Sequence, residues 1–95
     1  MKIIIQSPDF KADQKLIDYV TEKVEKLGKF SDRIQDANVN LKLDKSDTKE
    51  NKICDIKLAI PGNDLFAVKQ ARTFEEAASR AADALKSQIE TWKGA

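Results

Sequence analysis

Two stretches of this chain alternate strictly between apolar residues and polar or small ones. Ala37, Val39, Leu41 and Leu43 are separated by Asn38, Asn40 and Lys42, and Cys54, Ile56, Leu58 and Ile60 by Asp55, Lys57 and Ala59. A period of two sends every second side chain to the same side of an extended backbone, so both stretches predict strands with one buried face. On either side of them the period changes to three and four. Leu16, Val20, Val24 and Leu27 predict a helix from Asp13 to about Phe30, and Phe74, Ala78, Ala81, Leu85, Ile89 and Trp92 mark one face of a second helix.

The punctuation between these runs completes the order. Lys2–Gln6 is a β-branched run ended by Ser7-Pro8-Asp9, which predicts a strand followed by a turn. Asp13 can accept free amide protons of the first helical turn, and Gly28 marks either the frayed end of that helix or its C-cap. Residues 44–51 (DKSDTKEN) are polar throughout and predict a mobile loop. Pro61-Gly62-Asn63-Asp64 predicts a turn into a further strand, Leu65 to Ala71, and Thr73 with Glu76 has the spacing of a capping box. Consecutive strands with short links pair antiparallel, and a strand that returns through a helix joins the same sheet. The expected fold is therefore α+β: a two-layer βαβββα domain over residues 1–95, a four-stranded sheet with two helices packed on one face.

Chemistry by proton transfer or metal is poorly served. The chain has no histidine, so neither a Ser-His nor a Cys-His pair can form. Gly28, Gly62 and Gly94 are scattered and build no phosphate-cradling loop. Cys54 is in phase with the inward residues of its strand and reads as a buried structural thiol, which suits a reducing cytoplasm. The loop acids Asp44, Asp47 and Glu50 do not match calcium-loop spacing. No enzymatic activity, cofactor, metal, small-molecule substrate or membrane span is expected, and nothing at the N-terminus reads as a secretion signal.

The net charge is only +1, from 17 Lys plus Arg against 16 Asp plus Glu, which at first argues against nucleic acid. Angles along the first helix change that. At about 100° per residue, Lys15, Lys23, Lys26, Lys29 and, if the helix reaches it, Arg33 fall within a sector of about 120°, together with Tyr19 and Phe30. The acids Asp18, Glu25 and Asp32 form a separate flank, spaced by sevens. Such a cationic ridge could track RNA phosphates, with the two aromatics stacking on bases or lying in the core. The plain alternative is a solvated face with Glu22–Lys26 and Glu25–Lys29 as i,i+4 pairs. The second helix shows no segregation: Lys86 and Lys93 share an angle with Glu75, and Asp83, Glu76 and Glu90 follow. Trp92 continues its apolar stripe.

The order of elements and several motifs together resemble one family. The Ile-rich first strand is followed by Leu16-Ile17-Asp18-Tyr19-Val20. Then comes Lys23-Val24-Glu25-Lys26-Leu27-Gly28-Lys29-Phe30, similar to a segment of basic residue, two spacers, Lys-Leu, spacer, basic residue and aromatic. Asp32-Arg33-Ile34, Leu41-Lys42-Leu43, and a last helix bearing Ala77, Ala78, Leu85, Gln88 and Ile89 continue the match. The chain resembles the short ribosome hibernation-promoting factors, also called ribosome-associated inhibitor A or sigma-54 modulation proteins. The resemblance implies a fold like that of double-stranded RNA-binding domains. It further implies binding to small-subunit rRNA in the mRNA and tRNA channel, with translation blocked under stress or in stationary phase. It assigns RNA contacts to Lys23, Lys26, Lys29 and Arg33, and on the second helix to Lys86 and Lys93, in a stretch less basic than the family's and interrupted by Glu90. The long forms of the family carry a C-terminal dimerising domain, so ribosome pairing by this chain alone is not expected, and the chain is expected to be monomeric off the ribosome. Two alternatives remain open: a protein-binding module acting through the acidic flank or the sheet face, and a general binder of double-stranded RNA.

Overall fold

The computed structural model describes residues 1–94, with side chains as far as Trp92. The order is β1 (Lys2–Gln6), α1 (Gln14–Leu27), β2 (Asp36–Leu43), β3 (Lys52–Ile60), β4 (Asn63–Ala71) and α2 (Phe74–Gly94). The strands lie in the sheet in chain order, with β1 parallel to β2 and the rest antiparallel. This is the α+β arrangement the periodicity predicts. The parallel pair follows from the helical crossover, because α1 carries the chain back to the end of the sheet where β1 began.

One residue of register would turn every apolar side chain outward, and the observed register keeps them together. Val39 stands opposite Ile56, and Ile56 opposite Ala67. These residues, with Leu41, Leu58, Cys54 and Leu65, are buried under Val20, Val24 and Leu27 of α1 and Ala78, Ala81, Leu85 and Ile89 of α2. The Cα extents are 41 × 24 × 18 Å, and the least of them matches one sheet and one helical layer at about 10 Å spacing. Among the described residues neither helix covers the second face of the sheet. There Phe66 and Val68 are about half exposed. Beside Val68, Asp55 is only 8% exposed because it accepts a hydrogen bond from Asn40 Nδ2 (2.9 Å) and pairs with Lys42 Nζ (3.1 Å). No described helix is long and apolar enough to cross a membrane.

Both N-caps form, but the capping box is only half made, because the Glu76 carboxylate pairs with Arg80 instead of reaching back to the Thr73 amide. Asp13 Oδ1 accepts from the Leu16 amide at 2.8 Å, and Thr73 Oγ1 from the Glu76 amide at 3.1 Å. Pro61 and Gly62 make a two-residue turn between Ile60 and Asn63, where Gly62 takes φ +81°, and β4 therefore starts two residues before the expected Leu65. The polar 44–51 segment is tied rather than loose. Asp44 N–H donates to the Asn51 carbonyl, and Gln70 Nε2 reaches both Asp44 Oδ2 and the Glu50 carbonyl. The Ser46 amide, followed by its hydroxyl and the Gln70 amide, holds the Asp44 carboxyl below the usual range.

Candidate nucleic-acid interface

The end of α1 decides the shape of the cationic surface. The regular helix stops at Leu27, and the next three amides turn back by shorter bonds: Gly28 to Glu25, Lys29 to Lys26 and Phe30 to Leu27. The helix therefore does not reach Arg33, and the single ridge expected from the helical angles is two groups. Lys15, Lys23 and Lys26 stand on α1, while Lys29 and Arg33 belong to the connection into β2. That connection bounds a cleft of about 520 Å³ formed by residues 28–33. The same ending breaks the acidic flank, because Asp32 is off the helix axis that carries Asp18 and Glu25.

Packing of the two helices adds what the angles could not. Between α1 and α2 runs a groove of about 190 Å³ floored by Leu27, Phe30 and Ala82, with Lys23, Lys26 and Lys86 on its walls beside Asp83. The small Ala82 leaves the space, and the buried stripe of α2 turns Lys86 toward α1. Taken alone, α2 presents no basic face, yet its one lysine here completes a cluster begun on the other helix. Lys15 lies two turns before Lys23 on α1 and is exposed, as is Lys29. Lys93 lies outside the described side chains.

Each partner of these cations is specific. Lys26 pairs with Glu22 at 3.5 Å, the first of the two expected i,i+4 contacts, whereas Glu25–Lys29 is not an ion pair among the described residues. Lys23 lies over the Tyr19 ring at 5.5 Å, Lys86 over Phe30 at 5.1 Å, and Arg33 over Trp92 at 4.8 Å. Phe30 and Trp92 are half-buried and pack against the core. Three residues of this surface were not singled out from the sequence: Glu22 as a member of the cationic sector, Asp83 in the groove, and Trp92 as the seat of Arg33. Glu22 is legible from the same helical angles. For the other two no local signal exists.

No group of acidic or thiol side chains among the described residues could hold a metal ion. Burial, and secondarily the neighbouring Asp55 charge, push the Cys54 thiol up to about 12, so it is no nucleophile near neutrality.

The fold and this surface define a small two-layer α+β domain in which Lys86 of α2 joins Lys23 and Lys26 of α1 along one groove. The chain matches the family described as sigma 54 modulation protein / S30EA ribosomal protein over residues 3–95, and it belongs to that family. In structure it is similar to the N-terminal domain of Protein Y from Thermus thermophilus, with 22% identity over 97% of this chain and 99% of the other, at a TM-score of 0.80. It is also similar to a ribosomal subunit interface protein from Coxiella burnetii, with 17% identity over the whole of both chains, at a TM-score of 0.84. No curated protein sequence matches it significantly.

Proposed function

We propose that this chain is a non-enzymatic translation inhibitor that binds small-subunit rRNA in the mRNA and tRNA channel during stress or stationary phase. Membership of the sigma 54 modulation / S30EA family supports a ribosomal role, as does the likeness to a protein described as a ribosomal subunit interface protein. The observation that carries the RNA reading is the meeting of Lys23, Lys26 and Lys86 across one groove. Cations that two elements bring to one groove can meet neighbouring phosphates together, as scattered surface lysines cannot. Each phosphate they neutralise releases condensed counterions, which gives affinity without base-specific chemistry. Inhibition is then steric: a rigid domain occupies the channel and its lysines hold it there. Such a role places the protein in the cytoplasm.

Lys23→Glu with Lys26→Glu tests the site. The folded double variant is expected to lose co-sedimentation with small ribosomal subunits, and unchanged co-sedimentation would refute the assigned surface. In gradients of stationary-phase lysate the wild-type protein is expected in the ribosomal fractions. A second reading, a protein-binding module, draws on the exposed Phe66 and Val68 of the open sheet face. Salt separates the two, because phosphate contacts weaken steeply with ionic strength and an apolar interface hardly responds.

A further inference from the structure

Three of the candidate cations are seated on aromatic rings, and the seats are built in three different ways. Tyr19 and Lys23 are four residues apart on α1. Phe30, just past the end of α1, receives Lys86 from α2. Trp92, near the end of α2, receives Arg33 from the connection into β2. The rings are half-buried, while Lys86 and Arg33 above them are exposed and Lys23 is half-buried. Phe30 and Trp92 are packed against the core, and Tyr19 is half-buried on α1, so each ring is less mobile than the long cation above it.

Resting on the reading that this side binds rRNA, we infer that Tyr19, Phe30 and Trp92 are positioning residues. Each ring holds a cation extended and ready for a phosphate, and none of them stacks on a base. The physical reason is entropy. A long cationic side chain gives up rotamer freedom when it grips a phosphate, and a cation already resting on a ring has given up part of it in the free protein. The contact leaves the donors available. A guanidinium over a ring keeps its N–H groups in its own plane, and an ammonium that turns one side to a ring has others to offer. A ring face that carries a cation is closed to a nucleobase.

Trp92 gives the sharpest test, because it also borders an apolar cleft with Leu65, Gln88 and Thr91 that a base could enter. Binding of purified small ribosomal subunits is measured by quantitative pelleting in a double-mutant cycle. Trp92→Leu is expected to weaken binding about two- to fivefold in the wild-type background, the range of an exposed cation–π contact. In an Arg33→Gln background it is expected to change nothing, and Trp92→Phe is expected to restore most of the loss. Arg33→Gln lowers the slope of log affinity against log salt by about one, while Trp92→Leu leaves it unchanged because the number of phosphates met is the same. An equal loss from Trp92→Leu in both backgrounds overturns the inference, since the indole would then touch RNA itself or only support the fold.

Tyr19→Leu against Lys23→Gln repeats the cycle at a ring that is not part of the packed core, so it remains decisive if Trp92→Leu does not fold. Failure of the wild-type protein to pellet with small subunits refutes the rRNA reading and this inference with it. Normal wild-type pelleting with additive cycles refutes the inference alone.

Discussion

Glu22 Oε1 lies 3.5 Å from Lys26 Nζ, one turn apart on α1, so the cationic side of this helix carries a partial screen of its own. Asp83 lines the same groove as Lys86 without forming an ion pair among the described residues. Both acids would face RNA phosphates on binding, and like charges there oppose it. Exposed i,i+4 pairs contribute only about 0.3–0.5 kcal/mol to a helix, so neutralising Glu22 leaves the fold intact. Glu22→Gln with Asp83→Asn is therefore expected to tighten small-subunit binding several-fold at low salt, with the advantage shrinking as salt rises. Pelleting across a salt series reads this directly.

Lys86 distinguishes the groove from a ridge on α1 alone. If the groove is the contact surface, Lys86→Gln lowers the salt slope of binding by about one, as much as Lys23→Gln does. Lys15→Gln, outside the groove, is expected to have a smaller effect. Equal effects of Lys15 and Lys86 would favour a diffuse field over a built surface.

The two helix caps set the stability of the elements that carry the cations. Asp13→Ala and Thr73→Ala each remove a side-chain acceptor from an otherwise unpaired first-turn amide. Each is expected to cost about 1 kcal/mol, or roughly 4–8 °C in Tm for a domain of this size. Asn at position 13, which caps equally well, should restore the loss. Thermal melts followed by circular dichroism measure both.

Cys54 makes stability depend on alkaline pH. Its folded pKa is raised from 9.0 to about 12, by burial first and by the Asp55 charge second. The unfolded chain therefore releases the thiol proton first as pH rises. The stability linked to this group is whole below pH 9 and declines as pH climbs toward 12. Cys54→Val lacks this component, so relative to its own value at pH 7 it should retain roughly 1–2 kcal/mol more than wild type at about pH 10.5. In the native protein near neutrality a thiol reagent should react with Cys54 only as fast as the chain opens.

Most of the fold was legible because its signals are local. Strict alternation at Ala37–Leu43 and Cys54–Ile60, the cap at Asp13, the Thr73–Glu76 spacing and the Pro61-Gly62 turn each act over a few residues, and each appears in place. The end of α1 was less legible. Helical periodicity continues through Phe30 because Lys29 and Phe30 keep bonds of the i to i+3 kind after the regular helix has stopped. For that reason Arg33 appeared to extend a ridge it does not join. The polar 44–51 segment has the composition of a free loop, and the Gln70 side chain that ties it comes from a strand 20 residues further on.

What the sequence determined by itself is the set of elements and the side each one buries, since a residue's angle about its own helix or strand depends only on its neighbours along the chain. It also determined that the cations of α1 stand apart from Asp18 and Glu25. Only the tertiary structure decided that Lys86 completes the α1 cluster, that Arg33 rests on Trp92, and that Asp55 is nearly buried on an otherwise open face. These contacts join elements that meet only when α1 and α2 dock side by side on the sheet and the strands take their register. That docking follows from the shape of the shared core, to which Val24, Leu27, Leu85 and Ile89 contribute together. A near-neutral chain thereby collects on one side of the fold cations that no single helix of it could present.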